Sequence, residues 1–282
     1  MTVTTWAEAK AKMSVGVNGA FIPFERAPDA MQRFVRPALF STGDDTWELR
    51  TFGTALLCKY RDLYLAVATA HQTGDGGDKP AAEKFVVLAA DGERTLAIPP
   101  KTVRWPRIGE EQYVSLQDLC VFDFGERARE HRFGTLDLKS IKWSDDAGLT
   151  VDYSFLIGYP TASSDAEINE EGAFQRFVNK WIRQDLQPDA PKLMDVENRS
   201  MFVKHVRSTR SSVVPDGLSG SPVFSIVRDA ASDRYLRFDG IVTDAHADRF
   251  AVYPSVHIRD FLDVIVAETP GESEPTAAAQ EN

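Results

Sequence analysis

The sequence predicts an all-β protein. Three observations point there: short runs rich in Val, Ile, Leu, Thr, Tyr and Phe recur from residue 47 onward, Gly and Pro turns separate them, and helical spacing shows in few places. On residue pattern alone the class is a barrel or a sandwich.

The first 45 residues are mixed in character. Trp6, Ala9, Lys10 and Met13 suit a short amphipathic helix that Gly16 and Gly19 end. Segments 47–59 and 63–69, broken at Tyr60-Arg61-Asp62, read as a hairpin. Further strands are expected at 85–88, 96–98, 119–124, 153–159, 222–227, 235–243 and 250–253, with turn signals such as DGGD, PPK and DAASD between them. Two stretches depart from strand language. Val256, Ile258, Phe261, Leu262, Ile265 and Val266 keep one helical face and predict a C-terminal helix that docks on the domain. Phe174, Phe177, Val178, Trp181 and Ile182 also match helical spacing, inside the polar stretch 163–200, although a short apolar run suits a strand as well. Residues 268–282 hold Pro, Glu and Ala with no large apolar side chain, which predicts a disordered tail.

A chain of 282 residues allows one large domain or two small ones. Acidic residues outnumber basic ones by 42 to 32, for a net charge of −10, which argues against a nucleic-acid or anionic membrane partner. No apolar run is long enough to span a bilayer, and MTVTTWAEAKAKM lacks the apolar stretch of a secretory signal. Two cysteines, Cys58 and Cys120, cannot build a disulfide framework and fit a reducing compartment. A cytoplasmic location is the expectation.

Three short segments carry possible chemistry. In Gly217-Leu218-Ser219-Gly220-Ser221-Pro222, small residues crowd a serine before a β-rich run. A nucleophilic serine needs such a tight turn, which exposes its hydroxyl and gathers N–H groups at one spot; a plain turn before a strand is the alternative. His71 ends Ala68-Thr69-Ala70-His71 at a strand terminus, and Asp118 opens the apolar run Leu119-Cys120-Val121-Phe122. Taken singly, each suits a surface residue at a strand end. Order and spacing change that reading. His71, Asp118 and Ser219 follow one another at separations of 47 and 101 residues, against about 45 and about 93 in the His, Asp, Ser order of the chymotrypsin triad.

On these segments the chain resembles the trypsin-like (chymotrypsin-fold) serine proteases of the bacterial intracellular type. ATAH is similar to the family's TAAH, DLCV to its DIAL or DLAV, and GLSGSP to its GDSGGP. The run from Phe155 to Pro160 resembles the GYP strand of bacterial members, and that from Phe238 to Thr243 the GIVS strand beside the substrate cleft. The resemblance covers about residues 46–266. It implies two antiparallel six-stranded β-barrels with a C-terminal helix: an N-terminal extension over 1–45, a protease domain over 46–267 with its barrel junction near 125–150, and the tail. It further implies His71 as general base, Asp118 as its orienting carboxylate, Ser219 as nucleophile, and the N–H groups of Gly217 and Ser219 as oxyanion hole. Thr243 matches a serine whose hydroxyl would bond Asp118. Val213, Val214, Thr243 and Ala245 would bind substrate, favouring a small or apolar side chain, with Asp244 and His246 also near the cleft.

The chain departs from that family in three ways. Leu218 stands where secreted members carry an Asp, Cys58 and Cys120 match none of the family's disulfides, and the stretch 161–200 is longer than the usual connection. Asp244, His246 and Asp248 alternate as metal ligands would, but a polar hairpin tip explains them more simply. The expected function is therefore a serine endopeptidase needing no metal or cofactor, acting on a protein or peptide and restrained by narrow specificity or a regulatory protein partner. A catalytically silent pseudo-protease serving as a binding or scaffolding module is the alternative from another class.

Overall fold

The computed structural model describes residues 5–43, 49–73, 81–91, 94–106, 118–161, 164–168, 174–190, 192, 198–205, 216–246 and 248–269. The chain opens with helix α1 (Trp6–Met13), whose N-terminus is held by a reciprocal capping box between Thr5 and Glu8. A two-stranded hairpin follows, β1 (Ser14–Val17) with β2 (Ala20–Pro23). Its turn is Asn18-Gly19, at φ 50° and 78°, the left-handed pair that a two-residue hairpin loop needs. A short helix α2 (Ala27–Met31) leads into the first large sheet.

That sheet contains β3 (Val35–Ser41), β4 (Leu49–Tyr60), β5 (Leu63–Ala68), β6 (Phe85–Asp91), β7 (Arg94–Ile98), β8 (Thr102–Arg104) and β9 (Cys120–Asp123). Its order is β7-β6-β3-β4-β5-β9-β8, an open half-barrel path among the described residues. The helix α3 (Arg127–Glu130) closes one end, β10 (Leu136–Asp137) pairs with β4, and β11 (Lys142–Trp143) starts the second sheet. The second sheet then takes β12 (Thr150–Gly158), β15 (Ile182–Asp189), β16 (Ser200–Lys204), β17 (Pro222–Arg228), β18 (Arg234–His246) and β19 (Arg249–Pro254). Pairing of β18 with β19 closes these six strands into a barrel. A separate hairpin, β13 (Ser164–Ile168) with β14 (Phe174–Asn179), interrupts the sequence between β12 and β15. Helix α4 (Ser255–Glu268) ends the described chain. The molecule is thus mostly β with one closed six-stranded barrel, a half-barrel sheet and a C-terminal helix.

The expected helix over 174–182 is corrected: these residues form β14, a break at Lys180-Trp181, and the start of β15. Five apolar positions at helical spacing do not decide between helix and strand when the run is this short, and the hairpin pairing of β14 with β13 gives its backbone groups partners. The first sheet also begins upstream of residue 46, because β3 is one of its inner strands. Pro37 disguises this strand in the sequence; in the structure it sits at a shift in the β3–β4 register, where a missing N–H is tolerated. The segment 270–282, expected to be disordered, lies outside the described residues.

Among the described residues three apolar cores hold the molecule. One lies inside the half-barrel around Phe40, Leu57, Phe85 and Phe122. Another fills the closed barrel with Leu156, Leu186, Phe202, Val223 and Val252. The largest joins the two sheets, with Leu56 and Val67 from one, Phe155 and Phe224 from the other, and Ile258, Phe261, Leu262 and Ile265 from α4. Residues at strand ends along this seam face each other across it. No helix among the described residues is long and apolar enough to cross a membrane.

Candidate active site

The three segments singled out in the sequence meet at this seam. In the antiparallel pair β5–β9, Ala68 lies opposite Cys120, so residues just past β5 stand beside those just before β9. The chain leaves β5 through Thr69 into a short 3-10 turn, Ala70–Gln72, which carries His71. Asp118 lies two residues before β9. Its Oδ1 accepts the backbone N–H of His71 at 3.0 Å, and both carboxylate oxygens lie 2.9 Å from His71 Nδ1. From the other sheet, Ser219 in the turn before β17 places its Oγ 2.8 Å from His71 Nε2. A carboxylate can only accept, so in the neutral ring Nδ1 carries the proton and Nε2 accepts the serine hydroxyl. His71 retains 41% side-chain exposure and Asp118 24%, which leaves the imidazole open to a ligand and the acid mostly covered.

The serine turn is fixed through its carbonyls. Thr161 N–H donates to the carbonyl of Asp216 at 3.0 Å, and Thr54 Oγ1 donates to that of Gly217 at 3.1 Å. The carbonyl of Ser219 receives two donors, Thr54 N–H at 2.9 Å and Gln72 Nε2 at 2.5 Å. In a trans peptide the N–H points opposite to the C=O, so anchoring the Asp216 carbonyl turns the Gly217 N–H away from Thr161. Among the described residues neither Gly217 N–H nor Ser219 N–H meets an acceptor. Gly217 must be glycine here: its φ is +85° and a Cβ would sit 2.4 Å from Thr161 N. Leu218, between the two, turns inward and is 1% exposed, packed with Leu156, Val223, Val242 and Phe250.

The other expected residues are placed as follows. Val213 and Val214 lie outside the described residues. Ala245 is partly buried against the barrel core on β18. Thr243 requires a correction: its hydroxyl donates to the carbonyl of Ala251 at 3.3 Å and accepts from Arg199 Nε at 3.2 Å, instead of bonding Asp118. Asp244 and His246 are exposed and contact each other at 3.1 Å at the tip of β18. Among the described residues no group of three His, Cys, Asp or Glu side chains converges as metal ligands would.

Arg199 was not foreseen. Its guanidinium lies 4.1 Å from the Tyr253 ring centre. Burial pulls its pKa below the ordinary arginine value, and the charges of Tyr253 and Asp118 oppose that fall. Arg199 thus meets the Thr243 hydroxyl that was expected to bond Asp118. Gln72 was missed as well, although it follows His71 directly, because its role depends on pairing with a loop 147 residues away. Neither a family model nor a curated protein matches this chain.

Proposed function

We propose that this protein is a serine endopeptidase, with its half-barrel and closed barrel standing as the two barrels of a trypsin-like enzyme. The observation that carries the reading is the chain of contacts from Asp118 through His71 to Ser219, at 2.9 and 2.8 Å. In this reading His71 takes the proton from Ser219 as its Oγ attacks the scissile carbonyl, and later returns it to the leaving amine. Asp118 holds the ring in the tautomer that accepts at Nε2 and stabilises the imidazolium that forms. The free N–H groups of Gly217 and Ser219 bind the oxyanion; one such donor is typically worth about 2.7–4 kcal/mol of transition-state stabilisation. Water then attacks the acyl-enzyme by the same relay. No step calls for a metal or cofactor.

The substrate is a protein or peptide, lying against β18 near Thr243 and Ala245. The buried thiols of Cys58 and Cys120 support a reducing, cytoplasmic setting, since they lie in two different cores and cannot pair with each other. A protease there needs restraint, by narrow specificity or by a regulatory protein partner. A fluorophosphonate probe tests the reading: the native chain should be labelled at Ser219 and Ser219→Ala should not. A native chain that stays unlabelled while folded would leave a catalytically silent binding module instead.

A further inference from the structure

Arg36 is a cation on the wrong side of its strand. It lies opposite Ala55 in the β3–β4 pair, and cross-strand neighbours share a face. That face belongs to the core inside the half-barrel, which includes Ala55, Leu57 and Val87. A guanidinium offers five N–H donors. Among the described residues one acceptor is met, the carbonyl of Val35 at 2.9 Å, and no carboxylate pairs with the group. Burial accordingly lowers its pKa from the ordinary arginine value, an effect that the nearby Tyr159 only partly offsets. In a chain with net charge −10, carboxylates are plentiful, so a half-buried arginine without one is conspicuous.

Arg36 is one of the residues lining a cavity of about 270 Å³. His131 and Arg132, at the end of α3, bring further N–H donors to it, while Leu57, Val87 and Phe133 supply apolar wall. Arg132 is held in the left-handed region at φ 53°, a fixed turn and not a trailing end. No acidic residue is among the described lining residues, and none of the lining belongs to the His71–Asp118–Ser219 site.

We propose that this cavity binds a small organic oxyanion, a carboxylate or phosphate head on an apolar body, with Arg36 taking the head. An ionised head would supply the charge-assisted hydrogen bonds that Arg36 lacks, and the apolar body would lie against Phe133, which is partly exposed where Leu57 and Val87 are already buried. The site does not depend on peptide-bond hydrolysis.

Calorimetric titration of the full chain with hexanoate, hexyl phosphate, acetate and inorganic phosphate tests it. At least one hexyl probe should saturate a single site at a concentration tenfold or more below its short counterpart, and the tighter head identifies the natural one. Arg36→Gln should weaken that binding at least tenfold. Arg132→Ala, at an exposed position, should weaken it about threefold with thermal unfolding unchanged, which keeps the test decisive if Arg36→Gln does not fold. Ser219→Ala should bind as the native chain does. Failure of both hexyl probes to saturate, equal binding of short and long probes, or full affinity in both arginine variants would overturn the proposal.

Discussion

Gln72 Nε2 donates to the carbonyl of Ser219 at 2.5 Å, so the residue after His71 is tied directly to the residue whose hydroxyl His71 contacts. The amide is 3% exposed and also reaches the carbonyl of Thr54 at 3.3 Å. Gly53 makes room for it: at φ +149° a Cβ there would sit 2.3 Å from Gln72 Nε2 and 2.9 Å from the Ser219 carbonyl oxygen. One buried side chain thus links the half-barrel to the Ser219 turn of the closed barrel.

Breaking that link should loosen the turn. Gln72→Leu removes the donors while Thr54 N–H still serves the Ser219 carbonyl, so a stability loss near the low end of about 1–3 kcal/mol is expected. Gln72→Glu sets an oxygen against two carbonyls and should lose more. Gly53→Ala displaces the amide and should act in the same direction. In each variant fluorophosphonate labelling of Ser219 should slow about tenfold, because positioning errors well under 1 Å already cost rate. Native labelling rates in both Gln72→Leu and Gly53→Ala would remove Gln72 from the account.

Ser219 and His71 should behave as one unit. Ser219→Ala and His71→Ala are each expected to lower hydrolysis by about six orders of magnitude, and the double variant should lose little more. Additive losses would mean that the two side chains act in separate steps, and the relay would have to be abandoned.

What could be read in the sequence, and what could not, follows from range. His71, Asp118 and Ser219 each lie at a strand end beside small or apolar residues, and the β5–β9 register joins the first two by local geometry. The hairpin of β4 and β5 and helix α4 carry strong periodic patterns and stand close to where the patterns put them. Strands β15 and β16, which complete the closed barrel, do not: β15 falls in the polar stretch 163–200, and β16 offers only the short apolar run Met201-Phe202-Val203. Asn18-Gly19 was a legible hairpin signal, overshadowed by the helix before it. Arg199 carries no local signal, since only the folded barrel brings it to Thr243, 44 residues away.

The cysteines offer an independent check on packing. Burial pushes the Cys58 thiol from an ordinary value of 9.0 up to about 12, and Cys120 moves the same way, by burial first and the nearby Glu83 charge second. Neither should react with a thiol reagent at pH 8 in the folded chain, and both should react once urea unfolds it. The sign for stability follows. A raised folded pKa means the folded chain holds these protons more tightly, so the contribution is full below pH 9 and is lost as pH climbs towards 12. Urea midpoints should therefore fall between pH 9 and 11, and less so in Cys58→Ala with Cys120→Ala. Rapid thiol reaction at pH 8 without unfolding would contradict the burial of both strands.

Leu218 bears on how the proposed oxyanion site is kept ready. Between two residues with outward N–H groups, it is 1% exposed and packs on Leu156, Val223, Val242 and Phe250. A charged side chain at this position would need a charged partner to repay its desolvation, whereas a leucine needs only the apolar core that is already there. Thr161, Thr54 and Gln72 hold the carbonyls of the same turn from outside. The turn is therefore set without a freed amine, and the chain starting at Met1 should label at Ser219 with no prior proteolytic cut, with or without a tag before Met1. Leu218→Met should cost under about 1.5 kcal/mol and keep labelling. Leu218→Ala should cost about 2–5 kcal/mol and slow it. Leu218→Asp places a charge in the barrel core and should lower the unfolding temperature most of the three, with labelling lost. Labelling that appears only after cleavage between about residues 20 and 50, or a Leu218→Asp chain as stable and reactive as the native one, would show that packing at Leu218 does not hold the turn.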